Sequence, residues 1–149
     1  MQAEFGTETT SYFFEDISPG MTESLTMKVT TADIEAFARV SGDHNPVHLD
    51  EAFAASTMFK KPIAHGMLTA SYISAVFGTR LPGPGAIYIS QTLNFRAPVY
   101  VGDEVTATVR VADLIEARKR VLFECVCKVG DKTVLEGEAV LMVQARPVA

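Results

Sequence analysis

The sequence contains no tryptophan, only two cysteines, and no apolar run of the roughly 18 to 20 residues that a membrane helix needs. Residues 1–10 have neither the basic start nor the apolar segment of a secretion signal. The 13 Lys and Arg are outnumbered by 18 Asp and Glu, which gives a net charge of −5, and no basic block supplies the clustered positive surface of a nucleic-acid binder. We therefore expect a soluble, cytoplasmic protein that binds neither membranes nor nucleic acids.

The two cysteines, Cys125 and Cys127, are two residues apart in a segment typical of a β-strand. Their side chains would point to the same face of that strand. Without a secretion signal we expect them to be reduced, buried and to behave as small apolar residues. A lone C-x-C pattern does not indicate a metal site.

The composition is that of one folded domain. The chain has 149 residues, of which 48% are hydrophobic and 21% charged, so it is long and apolar enough to bury a core. It contains no internal repeat, low-complexity tract or Ser/Gly linker. We therefore predict a single domain over residues 1–149.

The first half of the chain predicts short helices. Residues 31–41 follow a capping threonine at position 30 or 31 and end at Gly42, and their apolar residues recur at helical spacing: Ile34, Phe37, Ala38 and Val40. Asn45-Pro46 then imposes an extended or turn conformation at residue 45. A second capped turn is predicted near Asp50, with Phe53 buried.

Residues 66–78 contain no charged residue, and their apolar and small residues surround the whole helical wheel. A helix with this pattern is expected to be buried on every side. After the breaker at 81–85 the hydrophobic period changes to two, which predicts strands at 87–95, 104–111, 121–129 and 133–143, with a further strand at 24–29. We predict an α+β fold in which a five-stranded antiparallel sheet wraps around the 66–78 helix, and a second subunit that helps to cover this helix.

A dense polar cluster at residues 41–50 contains Asp43 and His48, separated by a turn that Pro46 restricts. A rigid connection between an acid and an imidazole suits a pair that activates water, because proton transfer needs groups held within hydrogen-bond reach. The alternative is that Asp43 only caps a turn and His48 is an ordinary surface residue, since this spacing is common.

His65 and Gly66 directly precede the uncharged helix, so the amides at its start are unpaired donors at the positive end of the helix dipole. Such donors can hold a carbonyl oxygen that becomes negative during a reaction, and glycine lets a ligand approach closely. The alternative is that Gly66 simply starts the helix. For His65 a structural hydrogen bond is the favoured interpretation. Ser71 and Ser74 share a helix face, from which a hydroxyl would bond either to the polar pair or to a backbone carbonyl.

Three segments, SGDHNPVHLDEAFA, FKKPIAHGML and LNFRAPVYVGDEV, resemble the (R)-specific 2-enoyl-CoA hydratases of the MaoC-like dehydratase family. The resemblance covers residues 14–143. The hydratase motif D-x-N-P-x-H-x-D is matched by Asp43, Asn45, Pro46, His48 and Asp50. It implies a hot-dog fold, in which an antiparallel sheet wraps around a long central helix, and a homodimer without cofactor or metal.

The resemblance also implies residue roles. Asp43 and His48 would form the catalytic dyad, and the Gly66 amide would hold the thioester carbonyl. Ser74 and Asn45 would support the dyad, with Ser71 as an alternative to Ser74. The implied reaction is the reversible hydration of a trans-2-enoyl-CoA substrate to the (R)-3-hydroxyacyl thioester, with His48 as the base on water and Asp43 as the group that positions the water and delivers a proton to C2.

Two further sets of residues are candidates for contacts with substrate. The first contains cations for the phosphates of coenzyme A, although each also fits a solvated surface: Lys60, Lys61, Arg80, Arg96 and residues 118–120. The second contains apolar residues for an acyl pocket, although each also fits an ordinary core: Phe53, Met58, Phe59, Leu68 and Tyr72.

Two other functions stay open, and a third is disfavoured. The same fold dehydrates 3-hydroxyacyl groups on acyl carrier protein, and hot-dog chains also serve as non-catalytic pairing subunits. A hot-dog thioesterase needs an acidic residue on the central helix, and residues 66–78 contain none.

Overall fold

The computed structural model describes residues 9–148. One strand is followed by four helices and then by five strands: β1 (Thr22–Lys28), α1 (Thr31–Ser41), α2 (Pro46–Leu49), α3 (Glu51–Ala55), α4 (Gly66–Thr79), β2 (Ile87–Gln91), β3 (Asn94–Phe95), β4 (Glu104–Ile115), β5 (Arg120–Val129) and β6 (Lys132–Met142). The helices predicted at 31–41 and 66–78 are confirmed to within one residue. None of the helices in residues 9–148 is long and apolar enough to cross a membrane.

The strands form one antiparallel sheet in the order β1-β4-β5-β6-β2, and β3 also pairs with β6. Helix α4 packs against β1, β4 and β5. Alternate residues of β4 are fully buried beneath it: Val105, Ala107, Val109 and Val111. This strict alternation is what the period of two predicts for a sheet with one covered face. The α+β hot-dog arrangement is therefore confirmed.

The sheet has six strands among residues 9–148 rather than the predicted five, because the strand predicted at 87–95 is broken. Thr92 lies at the break, where its N–H donates to the Glu138 carbonyl and its hydroxyl accepts from the Glu138 N–H. The Thr92 carbonyl comes so close to Gly137 that a Cβ at that position would lie 1.8 Å away. This close approach ends the regular ladder after Gln91, and pairing resumes at Asn94.

Helix α1 leads directly into the polar cluster at residues 41–50. Thr30 accepts from the Asp33 N–H at 3.1 Å, and the Asp33 carboxylate accepts from the Thr30 N–H at 3.1 Å, so the predicted cap is a reciprocal capping box. The helix ends at Gly42 with φ +78°, a conformation that favours glycine. Gly42 thereby turns the chain directly into Asp43.

Helix α4 is buried only on the side that faces the sheet. Its inward side chains include Ile73, Val76 and Phe77, whereas the opposite face is exposed at Met67, Ser71, Ser74 and Gly78. The prediction of burial on every side is therefore wrong for the single chain, because one sheet covers only one side of a cylinder. The predicted burial of Phe53 is also wrong. Phe53 is 46% exposed, and its neighbour Ala54 is the buried residue of α3.

Both cysteines are free and buried in the core, as predicted. Burial raises the pKa of the Cys125 thiol and of the Cys127 thiol to about 12. Since the thiolate is the reactive form, this raised pKa disfavours a nucleophilic role for either residue.

Candidate active site

A cavity of about 600 Å³ opens at the N-terminal end of α4. It brings together the sequence-predicted residues Asp43, His48 and Gly66, and His65 also lines it. Its remaining wall is mainly apolar and includes Met58, Phe59, Phe95, Val134 and Leu135. An apolar cavity with a few converging polar groups is the usual form of a small-molecule site.

Asp43 is held in a short polar loop between α1 and α2. Its N–H donates to the Ser41 hydroxyl at 3.1 Å, and its carboxylate accepts from the Asn45 N–H at 3.2 Å. The Asn45 side chain in turn accepts from the Val47 N–H and caps α2, whose first residue is Pro46. Asp43 therefore does cap a turn, and that turn also sets its position relative to His48. The predicted support from Asn45 is consistent with this backbone contact.

His48 is oriented by a hydrogen bond from its Nδ1 to the Ile63 carbonyl at 2.7 Å. A carbonyl oxygen only accepts, so Nδ1 carries the proton and Nε2 of the neutral ring has a free lone pair. Burial lowers the pKa of His48 below its ordinary value; the Ile63 hydrogen bond opposes this, His65 lowers the pKa further, and the Asp43 charge opposes it. The net direction keeps the imidazole available as a base.

Gly66 is the first residue of α4, and among residues 9–148 its N–H donates no hydrogen bond. It is therefore an unpaired donor at the cavity wall. A Cβ on Gly66 would lie 2.6 Å from the ring of Phe95, so any larger residue here would force that ring to move. Phe95, 54% exposed in β3, is a cavity residue that the sequence reasoning missed, since its place in a strand pattern does not report what it packs against.

His65 is buried, with 2% of its surface exposed. Its Nε2 lies 3.0 Å from the Asp43 backbone carbonyl, and its ring lies against that of His48 with 3.9 Å between centroids. The favoured interpretation of a structural hydrogen bond is thus confirmed. The contact with both Asp43 and His48 could not be foreseen, because 22 residues separate His65 from Asp43.

The two serines of α4 are not brought to Asp43 and His48 in the single chain. The Ser71 hydroxyl donates to the Leu68 carbonyl of the same helix at 2.5 Å. Ser74 is exposed, does not line the cavity, and within residues 9–148 forms no hydrogen bond with Asp43 or His48. Support of the dyad by Ser74 stays a prediction.

Only some of the residues predicted to contact the acyl chain or the coenzyme A phosphates line a cavity. Of the predicted acyl-pocket residues, Met58 and Phe59 line the main cavity, whereas Phe53, Leu68 and Tyr72 do not. Arg96 lines it too, but its guanidinium is paired with Glu136. Lys60 and Lys61 line a neighbouring cavity of about 520 Å³ that shares His48 as a wall, while Arg80 and residues 118–120 line neither cavity.

Asp43, His48 and His65 place potential ligand atoms within 4.8 Å of one another, and two imidazoles with a carboxylate form a donor set that zinc accepts. The ring arrangement opposes such a site. The two imidazoles are stacked with 30° between their planes, and one nitrogen of each bonds to a backbone carbonyl. Because imidazole lone pairs lie in the ring plane, stacked rings do not direct their nitrogens at one ion.

Comparisons with known proteins identify similar sequences and similar solved structures. A family model described as MaoC like domain matches residues 16–136. The chain is 56% identical over 131 residues to a 3-hydroxybutyryl-CoA dehydratase of Methylorubrum extorquens, covering 88% of this chain and 83% of that protein. It is 54% identical over 135 residues to an (R)-specific enoyl-CoA hydratase of Rhodospirillum rubrum, covering 91% and 94% respectively.

The solved structures include an (R)-hydratase from A. caviae described as involved in PHA biosynthesis. It superimposes with a TM-score of 0.84 at 43% identity, covering 87% of this chain and 98% of that one. A second similar structure is the R-hydratase PhaJ1 of Pseudomonas aeruginosa, with a TM-score of 0.84 at 38% identity, covering 92% of this chain and 91% of that one.

Proposed function

The chain belongs to the MaoC-like domain family, and from this premise we propose that it catalyses the reversible addition of water to a trans-2-enoyl-CoA thioester, giving the (R)-3-hydroxyacyl thioester. It is a hydro-lyase in this proposal. The proposal rests mainly on the orientation of His48, whose Nδ1–H donates to the Ile63 carbonyl. This hydrogen bond leaves Nε2 free to act as a base in a cavity that Asp43 and Gly66 also line.

Substrate binding in this proposal uses the two kinds of wall that the cavity offers. The acyl chain lies against the apolar residues, among them Phe59, Phe95 and Leu135. The thioester oxygen accepts a hydrogen bond from the Gly66 N–H, which has no other acceptor among residues 9–148. Because this donor lies at the positive end of the 14-residue helix α4, it stabilises negative charge that develops on the oxygen.

The chemical step adds one water across the C2–C3 double bond. His48 Nε2 takes a proton from the water as its oxygen bonds to C3, and the electrons of the double bond move toward the thioester oxygen held by Gly66. His48 then passes this proton to the Asp43 carboxylate, which also positions the water, and Asp43 delivers it to C2 as the thioester carbonyl re-forms. The reaction needs no oxidant, reductant or co-substrate beyond water, and we propose no cofactor.

The carrier of the acyl group is tested by comparing two thioesters of the same acid. We expect the purified protein to hydrate crotonyl-CoA with a higher kcat/KM than crotonyl-acyl carrier protein, measured by the loss of the ultraviolet absorbance of the enoyl thioester. A clear preference for the carrier-protein thioester would favour the second candidate function, that of a 3-hydroxyacyl-acyl-carrier-protein dehydratase. A mitochondrial dehydratase of this kind from Arabidopsis thaliana is 36% identical to this chain. Turnover of neither substrate would favour a non-catalytic pairing subunit.

The (R)-3-hydroxyacyl thioester is also the basis for a proposed metabolic role. The A. caviae hydratase is described as involved in PHA biosynthesis. We propose that the product of this enzyme likewise supplies polyhydroxyalkanoate precursors.

We further propose that two copies form a homodimer through β2 and the exposed face of α4. The outer edge of β2 has no partner strand within residues 9–148, and this strand exposes Ile87, Tyr88 and Ile89. The opposite edge strand, β1, carries charged Glu23 and Lys28, which discourage edge pairing. Because Phe95 and Met67 lie both near this surface and at the cavity, a second copy would also cover the cavity mouth.

Ile87→Lys is expected to halve the molar mass measured by light scattering, because a lysine on the apolar edge would have to be desolvated in the dimer. Ile115→Lys serves as the matched control. Ile115 is similarly exposed but lies at the end of β4, which β5 and β6 separate from β2. A wild-type protein with the mass of one chain would contradict the dimer.

A further inference from the structure

We propose that His65 is a positioning residue of the active site, which holds Asp43 through its backbone and His48 through the face of its ring. The proposal deepens the hydratase function and rests on it. It concerns a residue that touches both members of the dyad but forms no part of the D-x-N-P-x-H-x-D motif.

The first contact anchors the acid. The Asp43 carbonyl can only accept, so the His65 nitrogen at 3.0 Å is a protonated Nε2 that donates to it. This bond ties the loop before α2 to the residue that precedes α4. The same residue directly precedes Gly66, so one rigid junction connects the position of Asp43 with that of the amide proposed to hold the thioester.

The second contact supports the base. The His65 ring packs against Phe37, with 4.8 Å between centroids, and against His48, with 3.9 Å between centroids. Its plane is only 30° from that of His48, so it covers one face of that imidazole. The Ile63 hydrogen bond holds one edge of the His48 ring, and His65 prevents the ring from tilting about that bond. Together they direct Nε2 to one place in the cavity.

Packing alone does not account for an imidazole at this position. The Nδ1 atom of His65 is buried and has no hydrogen-bond partner among residues 9–148. A buried polar atom without a partner is unfavourable and rare. A phenyl ring would fill the same space without that cost, so the donor on the other nitrogen is the feature that requires histidine.

His65 also acts on the charge of its neighbour. The charged or titratable groups that act on His48 are Asp43, from the loop before α2, and His65, from the residue before α4. His65 disfavours a proton on His48, while Asp43 favours it. Without the His65 imidazole, the Asp43 charge would favour the protonated form of His48 with less opposition, so the pKa of His48 would rise.

Two substitutions separate the contacts. His65→Phe keeps a ring against His48 but has no donor for Asp43, whereas His65→Gln keeps an N–H donor of similar reach but has no ring. We expect His65→Phe to lower kcat toward crotonyl-CoA by about 10²-fold with little change in KM, the loss typical of a misplaced catalytic group. His65→Gln is expected to retain more of the wild-type kcat than His65→Phe. The matched control is His44→Gln, which alters an exposed histidine beside Asp43.

A second readout does not depend on turnover. The chain contains three histidines, so the titration of the His48 ring can be followed by proton NMR. We expect the pKa of His48 to rise in His65→Gln and to stay unchanged in His44→Gln. Folded His65 variants with wild-type kcat and an unchanged His48 titration would overturn the proposal, even if their melting temperature fell, because His65 would then be structural only. If the wild type itself hydrated no enoyl thioester, the proposed function would fail while the titration still decided the role of His65.

Discussion

Asp43→Asn is expected to lower kcat for crotonyl-CoA hydration by about 10²- to 10⁴-fold, the usual effect of losing a positioned acid or base. The substitution removes only the charge and the proton-transfer capacity of the carboxylate. An asparagine oxygen can still accept from the Asn45 N–H, so the loop that leads to α2 is expected to keep its shape. Initial rates on folded protein, verified by circular dichroism and thermal unfolding, measure the effect.

Substitutions of His48 test the same pair of residues more specifically. In His48→Asn the side-chain amide nitrogen takes the position of Nδ1 and can still donate to the Ile63 carbonyl, while the catalytic Nε2 is absent. His48→Ala lacks both. We expect both variants to lose about 10²- to 10⁴-fold in kcat, and the double variant with Asp43→Asn to lose little more, since groups that act as a unit are not additive. A variant of either residue that keeps nearly the wild-type rate would exclude this dyad.

Gly66→Pro is expected to lower kcat by about 10²- to 10³-fold relative to Gly66→Ala, the range reported for the loss of one oxyanion donor. Proline lacks the N–H but is well tolerated at the first position of a helix. The preceding residue, His65, already has φ −59° and ψ 135°, which a following proline requires.

Alanine is the control for the side chain that proline adds. Both substitutions introduce a Cβ that would lie 2.6 Å from the Phe95 ring, so both force that half-exposed ring to move. Only proline removes the donor, so the ratio of the two rates isolates the N–H. Equal rates for the two variants would show that the thioester oxygen is not held by this amide.

Much of the fold was predictable because it depends on local patterns. The capping box of Thr30 and Asp33 marks the start of α1, the uncharged residues 66–78 indicate the central helix, and the alternation in β4 indicates a strand with one buried face. The break between β2 and β3 depends instead on the close approach of Thr92 to Gly137, which lie 45 positions apart. An isolated glycine in a strand is a signal of such an approach, but it does not say which segment comes near.

The site was predictable to a similar degree. Asp43, Asn45 and His48 lie in one loop and one short helix, so their grouping follows from sequence alone. The contacts of His65 with Asp43, and of Phe95 with Gly66, join segments that meet only after α4 has packed on the sheet. The exposed position of Ser74 likewise depends on which side of α4 the sheet covers, and a pattern that is apolar on all sides does not identify that side.

We propose that this chain hydrates an enoyl-CoA to the (R)-alcohol by means of Asp43 and His48. The most direct test of this proposal combines wild-type protein, crotonyl-CoA and a dehydrogenase that oxidises only (R)-3-hydroxyacyl-CoA, with formation of reduced nicotinamide cofactor as the signal. We predict that the signal appears with the wild type, is nearly absent with Asp43→Asn, and does not appear when an (S)-specific dehydrogenase replaces the first. Consumption of crotonyl-CoA coupled only to the (S)-specific enzyme, or no consumption at all by folded wild-type protein, would exclude this reaction.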